Sequence, residues 1–336
     1  MSVLQFSLNT INGQQLQDVI SPSSNINLLP LAFSFTDNEL SLSSAKPASS
    51  KVELVVMGDI LVSILHTIFR QCLLNSPTLT AINFRNQLHS YRFTVDCDDL
   101  ELARHALANL ALDNAFEAAI INAAPKLSLP GLLVMDMDST TIKIECIDEI
   151  AVLAGVGEQV AAVTELAMQG ELDFAQSLHQ RVATLANAPE SIIAEVAKSL
   201  PLMEGLETLI SALKQHNWRV GIASGGFTYF ADHLQQLLAL DDVSANVLEI
   251  NNGLLTGKVL GKVIDAQAKA DYLNALQQKY QLNPSQTVAM GDGANDLIMM
   301  NAASLGVAFH AKPIVLKQAD CSINYHGLDY LLHWLA

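Results

Sequence analysis

"LLVMDMDSTT", residues 132–141, sets an apolar run directly before two aspartates spaced two positions apart. A short continuous apolar run bounded by polar residues reads as a strand buried on both faces, and such strands belong to parallel sheets covered by helices. The aspartates then fall at the strand's carboxyl end, the edge at which open α/β sheets hold their ligands. Taken alone, an Asp-x-Asp pair is more simply a turn or a helix cap. Whether it does more depends on what else reaches that edge.

Downstream, strand and helix alternate. "GLETLISALKQHN" (205–217) and "FTYFADHLQQLL" (227–238) carry helical periodicity, whereas "WRVGIAS" (218–224), "TVAMGD" (287–292) and "LGVAF" (305–309) read as further buried strands. Between the first strand and its crossover helix, residues 143–200 are mostly helical and far exceed an ordinary βα loop, which predicts an inserted cap. Three strands end in polar signatures: "VMDMDSTT" (134–141), "IASGG" (222–226) and "AMGDGAND" (289–296). In a parallel sheet all three converge.

Upstream, residues 1–40 are weakly patterned and "SLSSAKPASS" (41–50) reads as a linker, being rich in small polar residues. From 51 to 124 the order is strand, helix, strand, strand, helix, strand, a ferredoxin-like α+β module. In element order it resembles an ACT-like regulatory module, equally readable as an aid to solubility or dimerisation. "NAAPKLSLPG" (122–131) marks the boundary, so the second unit spans 125–336.

Bulk composition narrows the partners. With 34 acidic and 18 basic side chains among 336 residues, the net charge is −16, which disfavours nucleic acid and anionic membranes. Cys72, Cys97, Cys146 and Cys321 form no CxxC pair, suggesting neither a zinc site nor a disulfide framework. The absence of Lys or Arg before Lys46 gives no signal-peptide start, and a cytoplasmic location is expected.

The chemistry suggested by the three strand ends is phosphoryl transfer, which rests on positioning and charge stabilisation. Asp136 can act as nucleophile, and Asp138 can protonate a leaving alkoxide and then deprotonate water. A halide leaving group needs no proton, so the second carboxylate favours an oxygen leaving group. Carboxylates facing a phosphate require a hard cation such as Mg²⁺, for which Asp292 is a further ligand. Ser224 and the amides of Gly225 and Gly226 can donate to phosphate oxygens, and Lys269 can neutralise the nucleophile.

"DMDST", "SGG", a lysine and "GDGAND", in this order, resemble the four motifs of the haloacid-dehalogenase-like phosphohydrolase superfamily. The likeness covers about residues 130–336 and implies a Rossmann-like parallel-sheet core with a helical cap. "DMDSTTIKIECIDEIA", "AMQGELDFAQSLHQRV" and "VAFHAKP" are similar to the branch that hydrolyses O-phospho-L-serine, the last step of serine biosynthesis. The resemblance implies Asp136 as nucleophile and metal ligand, Asp138 as acid/base with its carbonyl on Mg²⁺, Asp292 as the last protein ligand, and Asp296 behind them. It implies phosphate contacts from Ser224 and Lys269, a contact from Asn295 to the phosphate or the substrate, and a substrate pocket lined by Glu145, Met168, Phe174 and Arg181. An acid and an arginine fork would suit the substrate's ammonium and carboxylate.

Two residues depart from the family pattern: Ala270 after the lysine, where glycine is frequent, and Thr141, where an apolar residue is usual. His310 reads as a loop residue. Alternatives are a phosphatase or phosphotransferase for another small phosphometabolite, and a receiver-type signalling protein, which the "DMD" spacing and the cap disfavour. The partner expected is the small-molecule substrate, with a homodimer through the amino-terminal module as a further possibility.

Overall fold

The computed structural model describes residues 3–20, 29–46 and 50–336, except for the side chain of Met168. The catalytic unit is a seven-stranded sheet, and the amino-terminal unit is a second one. Its strands, in chain order, are β1 (Leu4–Ser7), β2 (Leu31–Phe35), β3 (Glu39–Ser44), β4 (Val52–Met57), β5 (Asn75–Arg85), β6 (Leu88–Asp96) and β7 (Ala118–Asn122). Four helices accompany them: α1 (Leu8–Ile11), α2 (Leu16–Ile20), α3 (Val62–Gln71) and α4 (Leu100–Asn114). The sheet order is β1-β3-β2-β5-β6-β4-β7, with every neighbour antiparallel. Its β5-β6-β4-β7 half is the ferredoxin-like unit.

The described residues of the first 50 hold three strands, β1, β2 and β3, where the sequence reads as an unpatterned stretch and a linker. Leu40 and Leu42 of β3 are buried and alternate with serines, so the period of two is present beneath a linker-like composition. The strand occupies 39–44, and residues 47–49 of the expected linker lie outside the described residues.

The two faces of the amino-terminal sheet have different partners. Leu54 and Val56 of β4, with Ala118 and Ile120 of β7, join the core formed with α3 and α4. Their alternates Val55, Met57, Ala119 and Ile121 share a core with Trp334 and Leu335 of the catalytic unit. In β4 and β7 both faces are buried, one inside the module and one at a seam.

In the catalytic unit β8 (Leu132–Met135) leads into the cap helices α5 (Cys146–Leu153), α6 (Gly157–Met168), α7 (Phe174–Thr184) and α8 (Ser191–Ala197). The chain continues through α9 (Leu206–Gln215), β9 (Arg219–Phe227), α10 (Thr228–Leu238), β10 (Asp242–Asn251), β11 (Leu254–Leu260) and α11 (Ala266–Lys279). It ends with β12 (Thr287–Gly291), α12 (Leu297–Ala302), β13 (Leu305–Phe309), α13 (Pro313–Leu316), β14 (Cys321–Ile323) and α14 (Leu331–Trp334). The order is β11-β10-β9-β8-β12-β13-β14, parallel except for the β10–β11 hairpin at the edge. All four residues of β8 are fully buried, as a central strand covered on both faces requires. Among the described residues no helix is long and apolar enough to cross a membrane.

Candidate active site

Register brings the three signatures together. Met135 of β8 lies opposite Ile222 of β9 and Met290 of β12, so Asp136 and Asp292, just past the ends of β8 and β12, meet Ser224, still within β9, at one edge. The amide of Asp136 still donates to the Met290 carbonyl at 2.9 Å, which fixes the carboxylate just beyond the last ladder bond. The Thr141 hydroxyl donates to the Asp136 carbonyl at 2.5 Å and the Met137 amide to its Oδ1 at 2.7 Å. The unusual second threonine is thus a brace for the turn.

Lys269 arrives from α11. Asp265 caps this helix by accepting from the Ala268 amide at 2.8 Å, and the buried positions Lys269, Ala270, Leu273 and Leu276 form its sheet-facing stripe. Lys269 is the first residue of that stripe, fully buried, with its ammonium 2.8 Å from Asp136 Oδ2 and 2.7 Å from Asp296 Oδ1. Two carboxylates raise its pKa against the opposing effect of burial. The Ala270 methyl packs into the core, so the departure from glycine displaces nothing.

Asp296 accepts from Lys269 with one oxygen and from the Gly293 amide with the other, at 3.0 Å. Asp292 takes a 3.3 Å hydrogen bond from the Thr140 hydroxyl. Carboxylate oxygens of Asp136, Asp292 and Asp296 lie within 4.8 Å of one another, and these hard oxygen donors suit a small divalent cation. Of the three, Asp136 and Asp292 line a cavity, whereas Asp296 is fully buried behind them.

"SGG" differs from the tight turn or nest its glycines suggest. Gly225 and Gly226 are extended within β9, and the Gly226 amide donates to Ser224 Oγ at 2.8 Å. The glycines are required by close approach instead. A Cβ on Gly225 would come within 2.5 Å of Phe174, and one on Gly226 within 2.8 Å of Asp138 Oδ2. Absent side chains let the cap and the acid close over the strand end.

The cap contribution follows from one helix start. Asp173 and Gln176 form a capping box, with bonds of 2.8 and 3.1 Å, that begins α7 at Phe174. Arg181, two turns later, lies on the same stripe as Phe174 and Leu178. All three line a cavity of about 420 Å³ with Asp136, Asp138, Glu145, Ser224, Gly225, Asp292 and Asn295. Of the residues expected from the sequence, Lys269 and Asp296 stand behind this wall against Asp136, and the side chain of Met168 lies outside the described residues.

Charge in the cavity is unbalanced. Burial, then Glu145 and Asp136, push the Asp138 carboxyl up to about 8. Burial, then Asp136, raise Asp292, and burial raises Glu145. Acids held toward their neutral forms by one another define a site with room for positive charge. Arg181 Nε is buried and, among the described residues, has no hydrogen-bond partner.

Two contributors were missed from the sequence. Lys312 lines the cavity from the loop after β13, and its amide meets the Asp292 carbonyl at 3.3 Å. Asn246 is buried on β10, donates to the Gly225 carbonyl at 2.8 Å and accepts from the Ile264 amide at 2.9 Å. The "NNG" turn could have located its hairpin: Asn252 and Gly253 form a two-residue loop with positive φ at both positions.

The family model for haloacid dehalogenase-like hydrolases matches residues 131–304, just over half of the 336. The chain belongs to that family. This hydrolase is 55% identical over 238 residues to a phosphoserine phosphatase of Vibrio cholerae, covering 70% of this chain and 72% of the relative. Its fold is similar to the unliganded crystal structure of a probable phosphoserine phosphatase from Vibrio cholerae, with a TM-score of 0.71 and 44% identity over 84% of this chain and 86% of that one. It is also similar to a phosphoserine phosphatase holding a phospho-aspartyl intermediate analogue, with a TM-score of 0.59 and 39% identity over 62% of this chain and all of that one.

Proposed function

We propose that this hydrolase cleaves O-phospho-L-serine to L-serine and inorganic phosphate through an aspartyl-phosphate on Asp136. The observation that carries the substrate is the buried Nε of Arg181, without a partner among the described residues, in a cavity that also holds Glu145. A guanidinium and a carboxylate match the substrate's carboxylate and ammonium, and a buried donor without a partner is costly unless a ligand satisfies it. The 55% identity to a phosphoserine phosphatase supports the same choice.

In the first half-reaction an Asp136 oxygen attacks phosphorus, the phosphorus–serine oxygen bond breaks, and Asp138 delivers its proton to the departing oxygen. Burial, then the neighbouring carboxylates Glu145 and Asp136, raise the Asp138 carboxyl above its ordinary range, which favours the protonated form an acid needs. In the second, Asp138 takes a proton from water, whose oxygen attacks phosphorus and returns Asp136 as a carboxylate. Lys269 holds Asp136 in position and offsets its charge. Ser224, the Gly225 amide and Asn295 bind the phosphoryl oxygens, while Phe174 closes the cavity against water.

Asp136, Asp292 and the backbone carbonyl of Asp138 would hold Mg²⁺, with Asp296 orienting Lys269 and the Gly293 amide behind them. When bound, the ion would supply positive charge to the phosphoryl oxygens in a cavity dominated by acids. The four cysteines are unpaired, which suits a reducing cytoplasm and a place at the end of serine biosynthesis.

Phosphate release across a panel of small phosphomonoesters, with and without Mg²⁺, tests the reading. Preference for phosphoserine and dependence on the ion are expected. Equal turnover of every ester would return the site to a general small-molecule phosphatase.

A further inference from the structure

A buried carboxylate of the amino-terminal module touches a chain of contacts that ends at the active-site cavity. Glu117, immediately before β7, is 3% exposed. Its Oε1 accepts from the amides of Asn324 and Tyr325, both at 2.8 Å, and lies 3.4 Å from His326 Nδ1. These three residues follow β14 in the catalytic unit. The His326 carbonyl in turn faces His310 Nε2 at 2.9 Å, and since a carbonyl only accepts, that nitrogen carries the proton.

His310, the residue after β13, is in the left-handed region, with φ of 44°, and its own amide donates to the Ile323 carbonyl at 2.9 Å. Its ring stacks on Phe309 with centroids 4.2 Å apart. Two residues on, Lys312 turns its amide to the Asp292 carbonyl and contributes its side chain to the cavity wall. Besides Arg181, Lys312 is the cationic residue lining that wall, which includes Asp136, Asp138, Glu145, Asp148 and Asp292. Where Lys312 stands therefore decides how a phosphate dianion is received.

We infer that Glu117 is a positioning residue for the phosphatase site: through the 324–326 turn and His310 it sets the loop that carries Lys312 and braces Asp292. The inference rests on reading the cavity as a phosphomonoester site. It makes the amino-terminal module a structural part of substrate binding.

The test is a double-mutant cycle on the 336-residue chain with Glu117→Ala, which removes the accepting oxygen, His310→Ala and their combination, followed by steady-state kinetics on phosphoserine. Each single variant is expected to raise KM roughly five- to tenfold with kcat within about twofold, and the double variant to be no worse than the larger single. Lys312→Ala should reproduce that rise. Multiplying effects in the double variant would overturn the inference, as would a Glu117→Ala protein that melts earlier with unchanged KM. Should Glu117→Ala fail to fold, the cycle of His310→Ala with Lys312→Ala decides: non-additive KM effects support the linkage and multiplying effects overturn it. Phosphate release by the unaltered enzyme tests the cavity assignment separately.

Discussion

Lys269 and Arg92 are both buried cations, 0% and 4% exposed, placed in different company. Arg92 lies at the seam between the module and the catalytic unit. It pairs with Glu53 at 2.6 Å and reaches the carbonyls of His333, Trp334 and Leu335 at 2.9–3.1 Å, where the carbonyls at the end of α14 lack helical partners. Arg85 adds contacts to Leu332 and Leu335. Lys269 instead stands between Asp136 and Asp296, and Asp136 also lines a cavity with the further acids Asp138, Glu145 and Asp292. Partnered charge at the seam joins two units, whereas surplus negative charge at the sheet edge waits for a ligand.

The largest effect should come from removing the nucleophile. Asp136→Asn is expected to lower kcat on the order of 10⁴-fold or more while the protein stays folded. Residual turnover near that of the unaltered enzyme would remove Asp136 from the role.

Next, the two cations can be exchanged for methionine. Lys269→Met strands Asp136 and Asp296 in the interior, with an expected destabilisation of about 3–5 kcal/mol and loss of activity together. Arg92→Met leaves the partly exposed Glu53 and the uncharged carbonyls of His333, Trp334 and Leu335 without their donor, so denaturant melts should show a smaller loss, about 1–3 kcal/mol, with kcat per folded molecule unchanged. Similar kinetic losses in both would erase the distinction between seam and site.

Arg181→Ala should raise KM for phosphoserine by about 10- to 100-fold, the worth of a charged hydrogen bond, and leave an aryl phosphate nearly unaffected. Equal losses on both substrates would dismiss the carboxylate contact.

The last effect belongs to the seam and depends on pH. Burial, then Arg85, lower His333 to about 4, below its ordinary value of about 6.5. The unfolded chain therefore binds the proton more readily, and the stability associated with neutral His333 is present above about pH 6.5 and lost as pH falls toward 4. Melting temperatures should drop across that window, and His333→Asn should flatten the drop. An identical slope in the variant would assign the acid sensitivity elsewhere.

The site was legible because its residues follow strands that announce themselves. The continuous apolar run of β8 and the polar ends of β9 and β12 define the edge before any contact is known. The module's inner pattern was also readable, since α3 and the β4–β7 strands carry strong periodicity. Residues 4–44 were obscured because β3 pairs its buried leucines with serines, so composition masked alternation. The β10–β11 hairpin was obscured because few of its residues are buried, leaving no apolar run to find. Lys312 had no local signal: its role comes from a loop position set by contacts with residues 14 to 20 positions away or more, including Asp292 and, through His310, His326.

The central claim is a covalent phosphate on Asp136. The direct measurement is acid-quenched turnover of ³²P-labelled phosphoserine followed by peptide mapping. Label that survives acid, is released by mild alkali and lies on the peptide containing Asp136 is the predicted result; label on another residue, or full-rate phosphate release with no covalent label at any quench time, would contradict the account.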